Sequence, residues 1–199
     1  MQINDGTGGG YSAKVSENGR VSVDADDGCL AAAKRGEVYV LTNHSDHPSL
    51  TTTGAGGVVA LITNSDSSRK SFVIDSISVT ASAATLVVSI ETNYSITTPG
   101  NIEGGVEISS TNTAYPTGSS ANATGYIWSE ASDGISNVSN GVACLRTILA
   151  AGGPSELVPS GRIIVAPGGS IGISQIPLSG TPQISFAIRF YEIDEHKGY

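Results

Sequence analysis

The sequence predicts an all-β protein: a jelly-roll-like antiparallel β-sandwich that is preceded by a glycine-rich extended or hairpin arm. Three observations support this prediction. Apolar and polar residues alternate over short segments, with the period of a half-buried strand. Glycine- and proline-rich turns separate these segments, as they do in sandwiches and barrels. No segment has the apolar period of about 3.6 residues that is typical of an amphipathic helix.

Residues 1–36 form the predicted arm, which contains seven glycines. Two short strands are expected at Tyr11–Val15 and Arg20–Val23, joined by a tight turn at Glu17–Gly19, because an Asn-Gly pair favours a hairpin. Two strands this short bury no core by themselves. The arm therefore requires another surface to lie on. A helical turn is expected at Ala31–Arg35.

Residues 37–199 form the predicted sandwich, with about eight strands. The candidate strands are 37–42, 57–63, 71–79, 85–91, 106–108, 126–128, 161–165, 170–174 and 183–193. The third and fourth of these follow each other closely and are expected to pair as an antiparallel hairpin. Residues 142–149 fit either a strand or a short helix, residues 93–125 are expected to be mostly long loops, and a turn is expected at Pro167–Gly169.

The last candidate strand has the clearest alternation. One predicted face carries Ile184, Phe186, Ile188 and Phe190, and the other carries Ser185, Ala187, Arg189 and Tyr191. Because the side-chain period of a strand is two, the apolar face is expected to lie on the core.

The composition excludes several classes of partner. The net charge is −8 and only 14% of the residues are charged, with no basic cluster to neutralise phosphates, so no nucleic acid partner is expected. No apolar run approaches the about 18–20 residues of a membrane helix, and no secretory signal is expected at the N-terminus. Cys29 and Cys144 are expected to be free thiols.

Charge is unevenly distributed along the chain. Between Lys70 and Arg146 there is no basic residue and there are six acidic ones. A solvated acidic face is the first interpretation of this stretch. A docking surface for a basic partner is the alternative.

Two groups of residues suggest metal sites but are incomplete. His44 and His47 flank Asp46 at a spacing that suits zinc or nickel, but His196 is the only further histidine, so a polar loop is expected. The segment Asp24–Gly28 begins like a calcium loop, but the glycine and the final glutamate of that motif are missing from their positions. No metal and no cofactor is predicted.

Two glycine motifs and the acidic residues are the candidates for catalysis. Gly6–Gly10 lacks the preceding strand and following helix of a phosphate-binding loop. Gly168–Gly172 has the letters of a nucleophile elbow, but a strand follows it instead of a helix, so a β-turn is expected. Paired carboxylates on separate strands leave no trace in a sequence and stay open. The protein is predicted not to be an enzyme.

The N-terminal segment resembles a known signature. Residues 3–15 (INDGTGGGYSAKV), followed by 18–23 (NGRVSV), are similar to the start of a group of tailed-bacteriophage virion proteins with the pattern D-G-T-G-x-G-x-x-A-K-V. The similarity is dense over about 20 residues. Beyond it the chain is similar in pattern only, and residues 93–140 have no counterpart.

The resemblance implies a virion structural protein on the capsid surface, assembled in the host cytoplasm, that decorates or cements the head. Its expected partners are the major capsid protein and further copies of itself in a homotrimer, with no membrane contact. The expected capsid-docking residues are Asp5, Thr7, Tyr11, Lys14, Val15, Arg20, Val21 and Val23. The alternative is a tail, baseplate or head-fibre receptor-binding protein, in which residues 93–140 bind glycans and Trp128→Ala is expected to abolish that binding. A β-sandwich hydrolase is the third possibility.

Overall fold

A computed structural model describes residues 28–43, 57–65, 67, 69–82, 85–102, 108–111, 122–129, 134–139, 141–152, 154–157, 163–179 and 183–194. One short helix and thirteen strands lie in these ranges. They are α1 (Gly28–Lys34), β1 (Val38–Thr42), β2 (Gly57–Asn64), β3 (Lys70–Ala81), β4 (Leu86–Thr92), β5 (Ile96–Gly100), β6 (Ser109–Ser110), β7 (Ala123–Ile127), β8 (Ser136–Val138), β9 (Val142–Leu149), β10 (Pro154–Leu157), β11 (Ile164–Val165), β12 (Ser170–Pro177) and β13 (Ile184–Asp194). The all-β prediction is confirmed.

The strands form two main antiparallel sheets and one small one. The six-stranded sheet has the order β10-β3-β13-β1-β6, and β11 also pairs with β3. The five-stranded sheet has the order β7-β2-β12-β4-β9, and β5 pairs with β8 in the third. One cluster of buried apolar side chains contains residues of both main sheets, so the core lies between them.

The two central strands are β13 and β12. On β13 the expected apolar face is confirmed: Ile184, Phe186, Ile188 and Phe190 are at most 3% exposed. β13 pairs with β3 over its whole length and with β1 over five residues. A strand with partners on both sides exposes neither edge of its backbone, so its apolar face is held in the core from both sides.

The expected hairpin between β3 and β4 is wrong. β3 pairs with β13 and β4 pairs with β12, so the connection crosses from one sheet to the other. Ser82 N donates to Gln183 O at 3.0 Å beside β13, while Leu178 N donates to Thr85 O at 2.9 Å beside β12. Alternation shows that each strand has one buried face, but in a sandwich it does not show which sheet the strand belongs to.

The middle of the chain contains more strand than expected. β5 and β8 lie in segments that were expected to be loops, and β10 was not expected at all. Residues 142–149 form a strand, which settles the strand-or-helix alternative. Residues 103–107 lie outside the described residues, and so does most of the strand expected at 106–108.

Candidate functional site

The predicted docking residues lie outside the described part of the chain. They are Asp5, Thr7, Tyr11, Lys14, Val15, Arg20, Val21 and Val23. The described chain begins at Gly28, within the last part of the predicted arm. What the structure defines is therefore the place where the chain enters the sandwich.

The entry point is helix α1, which contacts β1 and β13. Ala32 of this helix is fully buried. The helix ends in a Schellman motif: Glu37 N donates to Ala32 O at 2.9 Å, and Gly36 N donates to Ala33 O at 3.1 Å. Gly36 has a φ of 76°, which glycine adopts without strain. These bonds set where the helix stops and β1 begins.

An ion-pair cluster of Arg35, Glu37, Lys70 and Glu192 lies directly after this helix. Glu192 is 4% exposed and extends the core-facing side of β13 by one more position. Its carboxylate is 3.0 Å from Lys70 Nζ, and the Glu37 carboxylate is 3.8 Å from the same nitrogen and 2.6 Å from Arg35 Nε. A buried carboxylate is costly unless it is paired, so Lys70 compensates Glu192.

The cluster changes the ionisation of two neighbours. Burial raises the pKa of Tyr39, and the negative charge of Glu192 raises it further. Burial alone would lower the pKa of Lys70, but its hydrogen bond to Glu192 and the charge of that carboxylate outweigh burial and raise it. Both groups therefore keep their protons at neutral pH.

Part of residues 93–140 covers the outer face of the five-stranded sheet. Tyr94 N donates to Ser170 Oγ at 2.8 Å, and the Tyr94 and Ser174 hydroxyls share a hydrogen bond of 2.9 Å. A Cβ on Gly172 would lie 3.0 Å from the Tyr94 ring and 2.5 Å from Ala60 O, so only glycine fits beneath this tyrosine. We call the described residues 93–102, 127–129 and 134–139 the outer layer.

The outer layer is bound to β2 by main-chain hydrogen bonds. Trp128 N donates to Val59 O at 3.0 Å, and Ile135 N donates to Val58 O at 2.8 Å. Val59 and Leu61 are fully buried, although they alternate with the buried Ala60 along the strand. β2 is therefore covered on both faces, which explains its unbroken apolar sequence.

Trp128 is 1% exposed and belongs to the core cluster. Its ring consequently offers no face to a sugar. Tyr94 is also buried, and Tyr126 packs against the core. The substitution Trp128→Ala therefore tests the packing of the core and not a glycan-binding surface.

Two of the six acidic residues between Lys70 and Arg146 have structural partners. Asp75 Oδ2 lies 2.5 Å from Arg189 Nε, and Glu91 Oε2 accepts a hydrogen bond of 3.1 Å from Gly141 N. The remaining four acidic residues, Glu103, Glu107, Glu130 and Asp133, lie outside the described ranges.

The segment Gly168–Gly172 forms a turn that leads into β12, as expected. Ser170 is 3% exposed and its hydroxyl binds Tyr94 N, so it anchors the outer layer instead of facing a substrate. A cavity of about 320 Å³ lies beside this turn, lined by Thr92, Asn93 and residues 164–170. Its walls contain no ionisable side chain.

Several buried polar side chains were not anticipated from the sequence. Asn43 binds β13 with both ends of its amide, donating to Ile184 O and accepting from Phe186 N, each at 2.9 Å. Asn64 Nδ2 donates to Lys70 O and Val165 O. Gln175 is 2% exposed and neither atom of its amide has a partner. Among the buried polar side chains, only that of Glu192 could be predicted from the sequence, because the alternation of β13 places it on the inner face.

The metal candidates are not placed by the structure. His44, Asp46, His47 and His196 lie outside the described residues, and so does most of Asp24–Gly28. Within the described ranges no three acidic, histidine or cysteine side chains gather as a metal site would require. Neither Cys29 nor Cys144 forms a disulfide, as expected. None of the described helical residues forms a span long and apolar enough to cross a membrane.

In comparisons with known proteins, no family model, no curated protein and no solved structure matches this chain.

Proposed function

We propose that this protein is a structural component of a tailed-bacteriophage virion that decorates or cements the outside of the capsid. The observation that carries the proposal is the glycine-rich signature of residues 3–23, which stands directly before a β-sandwich. Short strands that bury no core alone are suited to add to the surface of another protein by main-chain pairing. In this proposal the arm docks on the major capsid protein and the sandwich faces outward as a homotrimer.

The arrangement of strands supports a jelly roll as the form of the sandwich. The chain alternates between the two main sheets through β1, β2, β3 and β4, and again through β9, β10, β12 and β13. Jelly rolls consist of eight such strands in two sheets and are frequent in viral capsids. They are also built into many proteins of other kinds, so the location on a virion rests on the arm and not on the sandwich.

Helix α1 supports the role of the arm as a tether. Because α1 is packed on β1 and β13 and ends in a Schellman motif, the point at which the described chain begins is held against the sandwich. A docking segment that is joined to such a point keeps the sandwich close to the surface to which the segment binds.

The first test is the copy number in purified virions, measured by quantitative mass spectrometry against the major capsid protein. A copy number comparable to that of the capsid protein supports decoration, because only the capsid lattice offers so many equivalent sites. Absence from purified particles would refute the virion assignment.

The second test concerns the arm. We expect the double substitution Lys14→Glu and Arg20→Glu, or deletion of residues 2–23, to abolish binding to particles that lack the protein. Arg69→Glu is the matched control, since Arg69 is exposed and lies outside the arm. Circular dichroism and thermal unfolding verify that each variant still folds. Undiminished binding by the folded deletion variant would contradict the proposal.

The second candidate function is receptor binding at a tail, baseplate or head fibre. The outer layer favours it, because this layer gives one face of the sandwich a covering of turns and short strands, where binding residues are commonly found. A copy number far below that of the capsid protein, together with binding to host-cell glycans, supports this candidate over decoration.

A further inference from the structure

Strand β9 has an unusual combination of composition and position. It is the last strand of the five-stranded sheet, and among the described strands only β4 pairs with it. Six of its eight residues are apolar, yet Val142, Leu145 and Ile148 are 63%, 42% and 64% exposed. We call β9 and the following turn, residues 142–152, the β9 strip.

The other described edges are shorter or carry protective residues. β10 has four residues, begins with proline and contains the exposed Glu156, while β6 has two residues. Exposed edge strands are normally short, charged or interrupted by proline, because an open backbone edge pairs with other chains. β9 has eight residues and no proline, and its one charged residue is Arg146. Its one irregularity is a register shift opposite Ile90 and Glu91, which leaves residues 145–149 as a regular ladder.

The charges indicate which molecule fits this surface. The chain carries a net charge of −8, so two copies repel each other over most approaches. The β9 strip contains no acidic residue and one basic residue, Arg146, which is exposed. It is therefore a surface on which a second acidic copy meets apolar side chains without facing further acidic residues.

The composition of the β9 strip favours a permanent interface between copies over a transient one. Interfaces in permanent homo-oligomers are more apolar than those of transient complexes and are poor in charged residues at their centre. β9 has three exposed apolar side chains and one charged residue, in agreement with that composition, and its register places Leu145 on one face of the sheet and Ile148 on the other.

We propose that the β9 strip is the surface through which copies of this chain contact one another. This proposal rests on the self-association named under the proposed function, but not on the location in a virion. Val142, Leu145 and Ile148 supply the apolar contact, and the open backbone of residues 145–149 supplies hydrogen-bonding groups.

The experiment measures the mass of the purified full chain in solution, by sedimentation equilibrium over a range of concentrations. We expect the unchanged protein to have a multiple of the single-chain mass. Leu145→Lys and Ile148→Lys place a charge in the contact, and each is expected to raise the dissociation constant by about 100-fold or more. Because no particle is present, failure here leaves the docking of the arm on the capsid untouched.

Matched controls are available on the same molecule. Ile164 and Leu178 are 54% and 49% exposed and lie outside the strip. We expect Ile164→Lys and Leu178→Lys to keep the mass of the unchanged protein. Thermal unfolding of all four variants verifies that the sandwich is intact.

A second measurement uses the protein without any substitution. Cys144 is exposed on β9, whereas Cys29 is half-buried on α1. Maleimide labelling of Cys144, followed by peptide mapping, is expected to slow as protein concentration rises, while labelling of Cys29 keeps its rate. A single-chain mass at every concentration, or equal masses for strip and control variants, would overturn the proposal.

Discussion

Strands β13 and β9 are both rich in apolar residues, yet the apolar side chains of β13 are buried and several of those of β9 are exposed. Ile188 and Phe190 of β13 are fully buried, whereas Val142 and Ile148 of β9 are more than half exposed. The difference lies in their neighbours, because β13 has β3 and β1 on its two sides, whereas among the described strands β9 has only β4. Apolar composition alone therefore does not determine burial, since the position of a strand in its sheet also contributes.

The largest expected effect on stability comes from truncating a buried apolar side chain of β13. Phe190 is fully buried and packs between Phe72 and Tyr39, with ring centroids 4.9 Å and 5.6 Å away. We expect Phe190→Ala to lower the free energy of unfolding by about 3–5 kcal/mol, because it removes buried area and leaves a cavity. Urea denaturation measures the change.

Leu145→Ala is the counterpart on β9. Leu145 is 42% exposed, so the loss of unfolding free energy at low protein concentration is expected to stay within about 1 kcal/mol. Equal losses for the two variants would show that β9 is as well covered as β13, and would remove the contrast on which the β9 strip depends.

An intermediate effect is expected at Gln175, which lies on the other central strand. Its cross-strand neighbour is the fully buried Val88, and its amide has no hydrogen-bond partner. We expect Gln175→Met to raise the free energy of unfolding by about 1 kcal/mol, because an unpaired buried amide is costly and methionine has a similar volume.

Gln183→Met is the matched control, since Gln183 is exposed at the start of β13. Its effect on the free energy of unfolding is expected to be close to zero. If Gln175→Met instead destabilises the protein, the amide is paired in solution and the inner face of β12 is less dry than that of β13.

The smallest effect on stability at neutral pH concerns the ionisation of side chains that are buried in the sandwich and its outer layer. Burial raises the pKa of Tyr94 above its ordinary value of 10.0, and the pKa of Tyr39 is also raised. Above pH 10 the unfolded chain releases these protons while the folded protein keeps them, so stability falls as pH rises. The raised pKa of Lys70 acts in the same direction above 10.5.

Tyr94→Phe removes one of these titrations and keeps the ring. It also removes the hydrogen bond to Ser174, so a small loss of stability is expected at pH 7. Between pH 10 and pH 11 the melting temperature of this variant is expected to fall less steeply than that of the unchanged protein. A parallel fall in both proteins would mean that Tyr94 is accessible to solvent and that the outer layer opens readily.

Strands, their buried faces and turns could be predicted from local alternation in the sequence. The pairing of strands that are distant in the chain could not. The faces of β13, the strands β1 to β4 and the turn at Pro167–Gly169 follow from alternation and turn residues, and the structure confirms them. The hairpin of β3 with β4 failed, because two strands with one buried face each are compatible with either sheet.

The outer layer was missed for a related reason. Segments rich in Ser, Thr, Asn and Gly are typical of loops, and β5 and β8 acquire their regular structure only by pairing across about forty residues. The burial of Trp128 depends on β2, which lies more than sixty residues earlier in the chain. The docking residues of the arm stay a prediction from the signature alone.

The position of β12 and β13 along the chain has a consequence for synthesis. They are the last two described strands, and each is central: β12 separates β2 from β4, and β13 separates β1 from β3. A ribosome has therefore made β1 to β11 before either sheet has its central strand, and until then the earlier strands have unpaired edges. The hydrogen bond between the Tyr94 and Ser174 hydroxyls forms only after Ser174, 80 residues further along the chain, has been synthesised. Folding through such distant contacts is slow, so the nascent chain is exposed to misassociation until its final strands emerge.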